Sequence, residues 1–400
     1  MTIFAGRKPL EHKTMHADIK ELSVYDRDLD LFESQYPVPE GITYNSYIIL
    51  DDKIALIDTV DQRKDADWRA NLTQILGERH PDYLIIQHLE PDHSSQIDWV
   101  MERYPECRLL CTAVALKMLP LLADYSAYAD RINMKADGDT LSLGRHELTF
   151  VTAPMVHWPE VMMVYDATAR TLFSADGFGR FGAPDPTLPW ACEARRYYFN
   201  IVGKYGQPVQ TVLRKLHGKE IDAIAPLHGP VLEGDLAEYF DLYRSWAAYD
   251  VETEGVLIAY GSIHGMTGVA ARKLEELLIA AGAPKVTVTE LSRSDLSEAV
   301  EDAFRMSHLV VMSPTYDGEI FPPVHDFIHH LAIKGFRSRR VALVENGLWA
   351  PAAGRKMRAM FEQMKDVTVV EPTVTLRGRM TDDNIAQLTA LANTLLEKSV

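Results

Sequence analysis

His88-Leu89-Glu90-Pro91-Asp92-His93 is the most informative stretch of this chain. It follows the apolar run Tyr83-Leu84-Ile85-Ile86, which predicts a short buried strand that ends in a loop. Four side chains in these six residues can bind a metal, and the strand anchors the segment at one end. The stretch therefore predicts a metal site rather than a surface run of charge.

Length and composition predict a soluble, globular, two-domain protein. The 400 residues exceed what most single cores contain, and 47% hydrophobic with 24% charged residues is ordinary for a globular chain. No apolar run is long enough for a transmembrane helix, and Met1 to Lys20 has no apolar stretch resembling a signal peptide. A net charge of −16 argues against a nucleic-acid partner.

The cysteines predict a reducing, cytoplasmic location. Cys107, Cys111 and Cys192 are few and odd in number, which does not suit a disulfide framework. Because the chain has no Cys-x-x-Cys pair, we expect no rubredoxin-like iron centre within it.

The hydrophobic pattern changes near Asp250, which predicts domains at residues 1–250 and 251–400. The first part mixes many short strands with helices, as in an α+β fold with two sheets packed between helices. From Val251 onward, strands and helices alternate strictly, and five strands are expected. That alternation predicts an α/β doubly wound parallel sheet.

Three further ligand-type residues each follow a predicted strand, namely His157, Asp176 and His228. One histidine or aspartate at a strand end is more often a cap or a satisfied core group. Together with the first stretch, however, they make four histidines and three carboxylates on strand ends that converge on one rim of a sheet. Seven ligands exceed what one tetrahedral zinc uses, and they suit two metals that share a bridging carboxylate.

The order His-x-Glu-x-Asp-His, then a distant His, an Asp and another His resembles the flavodiiron proteins, also called A-type flavoproteins, in their minimal two-domain form. The resemblance covers nearly the whole chain. It implies a metallo-β-lactamase-like αββα sandwich followed by a flavodoxin-like five-stranded sheet. It also implies that His88, Glu90 and His157 hold one iron, that Asp92, His93 and His228 hold the other, and that Asp176 bridges them. The metallo-β-lactamase fold has a histidine where Glu90 stands, and a carboxylate there favours iron or manganese over zinc.

The second domain carries a candidate phosphate loop, Ser262-Ile263-His264-Gly265-Met266-Thr267, directly after its first strand. Hydroxyls and a glycine at the start of a helix place N–H groups and the helix dipole around a phosphate. The lysine of a triphosphate loop is missing, which favours a monophosphate such as FMN. Two more loops follow later strands where a flavin would lie: Ser313-Pro314-Thr315-Tyr316-Asp317-Gly318 and Asn346-Gly347-Leu348-Trp349. Ordinary surface packing is the alternative for Tyr316 and Trp349.

The resemblance implies reduction of dioxygen to water, of nitric oxide to nitrous oxide, or both, with electrons that pass through FMN. It further implies a head-to-tail homodimer or a dimer of dimers, and an external donor such as rubredoxin or another small electron carrier. Tyr197 and Tyr198 are candidate proton donors, because the family has a tyrosine there. Where many family members have a pocket histidine, this chain has Glu33, and the choice between the two gases stays open.

Two other classes of function compete with this one. A dinuclear metallohydrolase with an accessory flavin domain would activate water on its metals. Glu90 and the fused flavin domain argue against it. A flavin electron carrier would leave the metal site degenerate, whereas all seven ligand positions are present here.

Overall fold

The computed structural model describes residues 16–397, which form two compact units. Residues 16–194 and 207–242 make up the first unit, and residues 195–206 and 243–397 make up the second. The assignment of domains to residues 1–250 and 251–400 stays a prediction. Most of the segment Met1 to Lys20, for which no signal peptide is expected, lies outside the described residues.

The first unit contains sixteen short strands among its described residues. They are β1 Ile19–Glu21, β2 Val24–Asp26, β3 Leu31–Phe32, β4 Tyr36–Pro37, β5 Ile42–Tyr44, β6 Tyr47–Leu50, β7 Ile54–Ile57, β8 Tyr83–Ile85, β9 Arg108–Cys111, β10 Ile132–Met134, β11 Thr140–Ser142, β12 Glu147–Thr152, β13 Met162–Asp166, β14 Thr171–Phe173, β15 Ala223–Ala225 and β16 Leu232–Glu233.

Twelve of these strands form two six-stranded sheets. One sheet has the order β1-β6-β7-β8-β9-β10, the other has the order β11-β12-β13-β14-β15-β16, and β2–β5 and β3–β4 are small pairs. A common core contains Ile57 and Ile85 from the first sheet and Phe150, Val164 and Phe173 from the second. The sheets therefore pack face to face because each turns its apolar side chains toward the other. β13 and β14 form an antiparallel hairpin.

The described chain contains twelve α-helices. They are α1 Asp65–Leu76, α2 Pro91–Ser94, α3 Ile97–Arg103, α4 Ala113–Leu122, α5 Trp190–Tyr197, α6 Gly206–Leu216, α7 Ala237–Ala248, α8 Met266–Ala280, α9 Leu296–Arg305, α10 Pro322–Ile333, α11 Ala353–Phe361 and α12 Asp382–Leu396. α12 begins at a capping box in which Thr381 and Asn384 bond each other's backbone N–H groups, which stabilises its first turn.

The second unit is built on a parallel sheet. Its strands are β17 Thr253–Tyr260, β18 Val286–Glu290, β19 Met306–Tyr316, β20 Glu319–Ile320, β21 Arg340–Asn346, β22 Thr368–Val369 and β23 Val374–Leu376. The main order is β18-β17-β19-β21-β22, in which the first three strands along the chain occupy the order two-one-three. The middle strands are buried along most of their length, as expected for strands with helices on both faces.

The prediction of five strands missed two short ones. β20 forms an antiparallel hairpin with β19, and β23 continues beside β21 after β22 has ended. The hairpin turn is Asp317-Gly318, with both residues at positive φ, which is the backbone that a two-residue type I′ turn requires.

No helix among residues 16–397 combines the length and the apolar character needed to cross a bilayer.

Candidate metal centre and cofactor loops

The seven predicted metal ligands come together in the first unit. They belong to five places in the chain: His88 and Glu90 follow β8, Asp92 and His93 are on the short helix α2, His157 follows β12, Asp176 follows β14, and His228 follows β15. Pro91 begins α2, since its fixed φ suits the first helical position. The sequence predicted a loop after β8, whereas the structure has helix α2 at residues 91–94. This helix holds the side chains of Asp92 and His93 in the interior.

The first group of ligands contains His88, Glu90 and His157. Glu90 Oε2 lies 3.1 Å from Nε2 of His88 and 3.1 Å from Nε2 of His157, and the two imidazole nitrogens are 3.3 Å apart. Both imidazoles are buried, whereas 16% of the Glu90 side chain is exposed. One cation could therefore contact all three side chains.

The second group contains Asp92, His93 and His228. The Nε2 atoms of the two imidazoles are 3.0 Å apart, and Asp92 Oδ2 lies 3.3 Å from His93 Nε2 and 3.5 Å from His228 Nε2. All three residues are buried. Their ligand atoms are also close enough to share a single cation.

Asp176 stands between the two groups. Its Oδ2 lies 3.3 Å from His88 Nε2 and 3.0 Å from His157 Nε2. Its Oδ1 lies 3.5 Å from His93 Nε2 and 3.7 Å from His228 Nε2. Each carboxylate oxygen thus faces a different group, which is the arrangement of a carboxylate that bridges two metals.

The buried carboxylate oxygens of this centre are better explained as metal ligands than as hydrogen-bond acceptors. Within the described chain, both carboxylate oxygens of Asp92 and of Asp176 are buried without a hydrogen-bond partner. Such atoms are costly unless something unseen satisfies them. Three carboxylates and four neutral imidazoles carry a charge of −3, which two divalent cations would offset.

The pKa shifts show how strongly the centre needs positive charge. Burial, together with Glu90 and Asp176, raises the pKa of Asp92 well above its usual range. Burial acts to lower the pKa of His157, but the carboxylates of Asp176 and Glu90 outweigh it and raise that pKa to about 9. Without a cation, protons would have to balance the carboxylates, so metal binding must release them.

Two contacts behind the ligands orient the imidazoles. His88 donates through Nδ1 to Glu160 Oε1 at 2.8 Å, and His228 donates through Nδ1 to the carbonyl oxygen of Thr43 at 2.7 Å. Because Nδ1 carries the proton in each case, Nε2 presents its lone pair to the centre. The same oxygen of Glu160 accepts the backbone N–H of Leu89 at 2.9 Å, which holds the loop against it.

The loop that carries His88 is also held by Asp58. The Asp58 carboxylate accepts the backbone N–H groups of Gln87 and His88 at 2.9 and 3.3 Å. Gln87 in turn donates to the carbonyl oxygens of Met162 and Phe173, so the loop is tied to both sheets.

Aromatic rings enclose the imidazoles. Trp158 packs edge-on against His88, with ring centroids 5.1 Å apart, and Phe32 packs edge-on against His228 at 5.3 Å. Tyr44 also contacts the ring of His228. These rings exclude water and fix the side chains by packing.

The predicted phosphate loop lies in the second unit between β17 and α8. Gly265 precedes α8 with a φ of +83°, and Ser262 accepts the backbone N–H of Gly268 at 3.3 Å. A cavity of about 380 Å³ adjoins the loop, and its lining includes Ser262, Gly265 and Arg272. The loop and the open N-terminus of α8 suit a phosphate.

Hydrogen bonds connect residues 313–318 to the start of α11, just after residues 346–349, and connect residues 346–349 to the first loop. Thr315 accepts the backbone N–H groups of Ala352 and Ala353, and Asn346 donates to Thr267 Oγ1 at 3.4 Å. Of the aromatic residues, Tyr316 is 45% exposed at the end of β19 and Trp349 is 79% exposed. The three loops therefore lie at one edge of the sheet, the carboxyl ends of β17, β19 and β21.

Tyr197 and Tyr198 are fully buried in the segment 195–206, which belongs to the second unit. Tyr197 ends α5, and Tyr198 begins a π-helical turn. The ring of Tyr198 packs against Tyr243 and Trp246, which indicates a packing role for it. A role as proton donor stays a prediction for both residues.

Sequence reasoning missed the residues behind the ligands, above all Glu160, Thr43 and Asp58. Glu160 contacts a histidine 72 positions away, and Thr43 contacts one 185 positions away. The only local signal is that Glu160 stands three residues after His157, and a carboxylate near a ligand is common enough to pass unnoticed.

Comparisons with known proteins agree with this architecture. Residues 42–229 match the model of the "ODP family beta lactamase". The chain is 30% identical over 348 residues to a nitric oxide reductase of Moorella thermoacetica, with 84% of this chain and 86% of that protein covered. It is 29% identical to an anaerobic nitric oxide reductase flavorubredoxin of Escherichia coli, with 81% of this chain and 69% of the relative covered.

Solved structures confirm the expected fold class. The rubredoxin oxygen:oxidoreductase of Desulfovibrio gigas superposes with a TM-score of 0.88 at 24% identity, covering 96% of this chain and 98% of that one. The flavodiiron protein of Giardia intestinalis gives a TM-score of 0.87 at 22% identity, covering 98% and 97%. A metallo-β-lactamase-like sandwich thus precedes a flavodoxin-like sheet. Because the Moorella thermoacetica relative is 30% identical and is matched over most of both chains, this chain belongs to the flavodiiron protein family.

Proposed function

We propose that this protein reduces dioxygen to water, nitric oxide to nitrous oxide, or both, at a pair of iron ions. The observation that carries the proposal is Asp176, whose two carboxylate oxygens face two separate groups of ligands. Each dioxygen would take up four electrons and four protons and yield two waters. Each pair of nitric oxide molecules would take up two electrons and two protons and yield one nitrous oxide and one water.

Seven side chains of the first unit would hold the metals. His88, Glu90 and His157 would hold one iron, Asp92, His93 and His228 the other, and Asp176 both. Glu90 supports iron over zinc, because it adds a hard oxygen ligand where the related hydrolase fold has an imidazole. When bound, the iron pair and a reduced flavin would supply the electrons for the reaction.

The polypeptide supplies position and shielding. Side-chain exposure is highest for Glu90, at 16%, and for Asp92, at 10%, among the seven ligand residues. These two carboxylates therefore mark the side from which a small gas enters. The imidazoles of His88 and His228 are held from behind, so they keep their orientation as the charge of the centre changes. Tyr197 and Tyr198 are proposed as proton donors.

FMN would bind at the three loops of the second unit. Its phosphate would lie against residues 262–267 at the start of α8, and its ring would lie between residues 313–318 and 346–349. The shared edge of these loops supports this placement, as do the exposed rings of Tyr316 and Trp349, which can stack on a flat ring system.

A second copy of the chain and a small electron carrier are the proposed partners. Leu348 and Trp349 are 65% and 79% exposed. Exposed apolar side chains of this size support a protein interface beside the proposed flavin site. A head-to-tail homodimer would place the flavin of one subunit beside the metals of the other. The Desulfovibrio gigas relative, whose name includes rubredoxin, supports a rubredoxin-like donor, and the predicted location is the cytoplasm.

The test begins with the purified protein and its metal content. We expect about two irons and one FMN per chain, and after anaerobic reduction we expect the protein to consume dioxygen, nitric oxide or both in separate titrations. Glu90→His should shift the preference from iron to zinc and abolish gas consumption, whereas the exposed control Glu106→Gln should change neither.

The competing functions give different results in the same experiment. A metallohydrolase would contain zinc as purified, and Glu90→His would preserve its activity. A flavin carrier would be reduced and reoxidised at the same rate with and without Glu90. Either outcome would overturn the proposal.

A further inference from the structure

A second cluster of ligand-type side chains lies in the first unit and shares no residue with the centre described above. It contains His16 and Asp18, which precede β1, and His146, which precedes β12. Asp18 Oδ2 lies 3.6 Å from His16 Nδ1 and 3.3 Å from His146 Nε2. The three ligand atoms all lie within 4.8 Å of one another.

His146 is arranged as metal-binding histidines commonly are. Its side chain is buried, and its Nδ1 donates to Asp166 Oδ2 at 2.6 Å. The other oxygen of Asp166 accepts the backbone N–H groups of Thr168 and Ala169, which fixes the carboxylate. A carboxylate that accepts from one ring nitrogen sets the tautomer, so the other nitrogen presents its lone pair, here toward Asp18.

The charge around the cluster favours a cation. Three carboxylates lie in or beside the cluster, those of Asp18, Asp51 and Asp166. One guanidinium, that of Arg145, bonds Asp18 at 2.9 Å and Asp51 at 3.0 Å. With neutral imidazoles, these groups sum to −2. The Arg145 side chain is 62% exposed, so it can leave Asp18 and keep its bond to Asp51 when a metal binds.

We propose that His16, Asp18 and His146 bind one divalent transition-metal ion such as Zn²⁺, with water completing the coordination. Two imidazoles and one carboxylate are a common zinc ligand set. Bonds of about 2.0–2.1 Å in a tetrahedron place neighbouring ligand atoms about 3.3 Å apart, close to the two distances seen here. The metal would join the segment before β1 in one sheet to the start of β12 in the other, and so would stabilise the sandwich at that edge.

The test uses the full-length protein with its iron already bound, titrated anaerobically with Zn²⁺ alone. Equilibrium dialysis followed by elemental analysis would give the zinc bound and the iron retained. We expect one zinc per chain with no loss of iron. His16→Ala should weaken zinc binding by more than about 100-fold, because it removes a ligand rather than a partner behind one, whereas His80→Ala, at a matched exposed histidine of the same unit, should leave it unchanged.

His16 is exposed, so its replacement leaves the fold intact, and circular dichroism would verify this. Arg145→Gln should tighten zinc binding, because it removes a competing positive charge from Asp18. The proposal is overturned if iron-loaded wild-type protein takes up no zinc, or if His16→Ala binds zinc as tightly as wild type. The cluster would then be a network of hydrogen bonds with a protonated His146. Gas consumption is measured on the same samples, so failure of the proposed function would show separately.

Discussion

Replacement of Glu160 by glutamine tests whether the contacts behind the ligands set the affinity for iron. Glu160 is buried and accepts two hydrogen bonds on Oε1, from His88 Nδ1 and from the Leu89 backbone N–H. Glutamine keeps the shape and one accepting oxygen, so both bonds can form. What it loses is the negative charge, which makes the bond to His88 stronger and its Nε2 a better ligand.

The magnitude follows from the contact that is weakened. Loss of a partner behind a metal ligand typically costs about 10–100-fold in metal affinity. That corresponds to about 1.4–2.7 kcal/mol. Glu160→Ala should cost more, because it also leaves two buried donors without an acceptor, at roughly 1–3 kcal/mol each. The alanine variant should therefore also lower the free energy of unfolding of the metal-free protein, whereas the glutamine variant should change it little.

The assay is competition for Fe²⁺ against a coloured chelator under anaerobic conditions, with denaturant unfolding of the metal-free protein alongside. Glu147→Gln is the control, since Glu147 is an exposed glutamate of the same unit. We expect weakened iron binding for Glu160→Gln at nearly unchanged stability. Equal iron affinity in Glu160→Gln and Glu147→Gln would refute the argument that this contact tunes the ligand.

Three other predictions follow from the described residues. Asp176→Asn should reduce gas consumption by more than about 100-fold, because it removes a ligand shared by both metals rather than a partner behind one ligand. Oxygen and nitric oxide electrodes would measure the rate of gas consumption, and retained activity would contradict the bridging role. Burial acts to raise the pKa of Asp51, but backbone N–H groups outweigh it and lower that pKa to about 2. Its stabilising effect should thus be complete above its unfolded pKa of about 3.9 and be lost as the pH falls through about 2, so the unfolding free energies of wild type and Asp51→Asn should converge in acid. Burial raises the pKa of the Cys107 and Cys111 thiols to about 12, whereas Cys192 is exposed, so a thiol reagent should label one cysteine in the native protein and three after unfolding.

Much of the fold could be predicted because its signals are local. Strict alternation of strands and helices after Val251 predicts five of the seven strands of the second unit. The missed strands β20 and β23 are only two and three residues long, too short for periodicity to register. The dipeptide Asp317-Gly318 is typical of a hairpin turn, although residues 313–318 were predicted only as a flavin loop.

The candidate metal centre was predictable in its members and not in its geometry. Residue type and order singled out His88, Glu90 and Asp176 as ligands. No pattern along the chain places one oxygen of Asp176 toward His88 and the other toward His93, because that requires the residues after β14, in one sheet, to lie beside the residues after β8, in the other.

The order of residues alone is enough to predict which side chains can bind metal, where a phosphate could lie, and that a mixed sandwich precedes a parallel sheet. These features are written in residue types and in apolar periods of a few residues. The folded structure was needed to show that Glu160 and Thr43 orient two imidazoles, and that His16, Asp18 and His146 meet at another edge of the first unit. Such contacts join residues far apart in the chain, and they form only because burial of the two sheet faces brings their loops together.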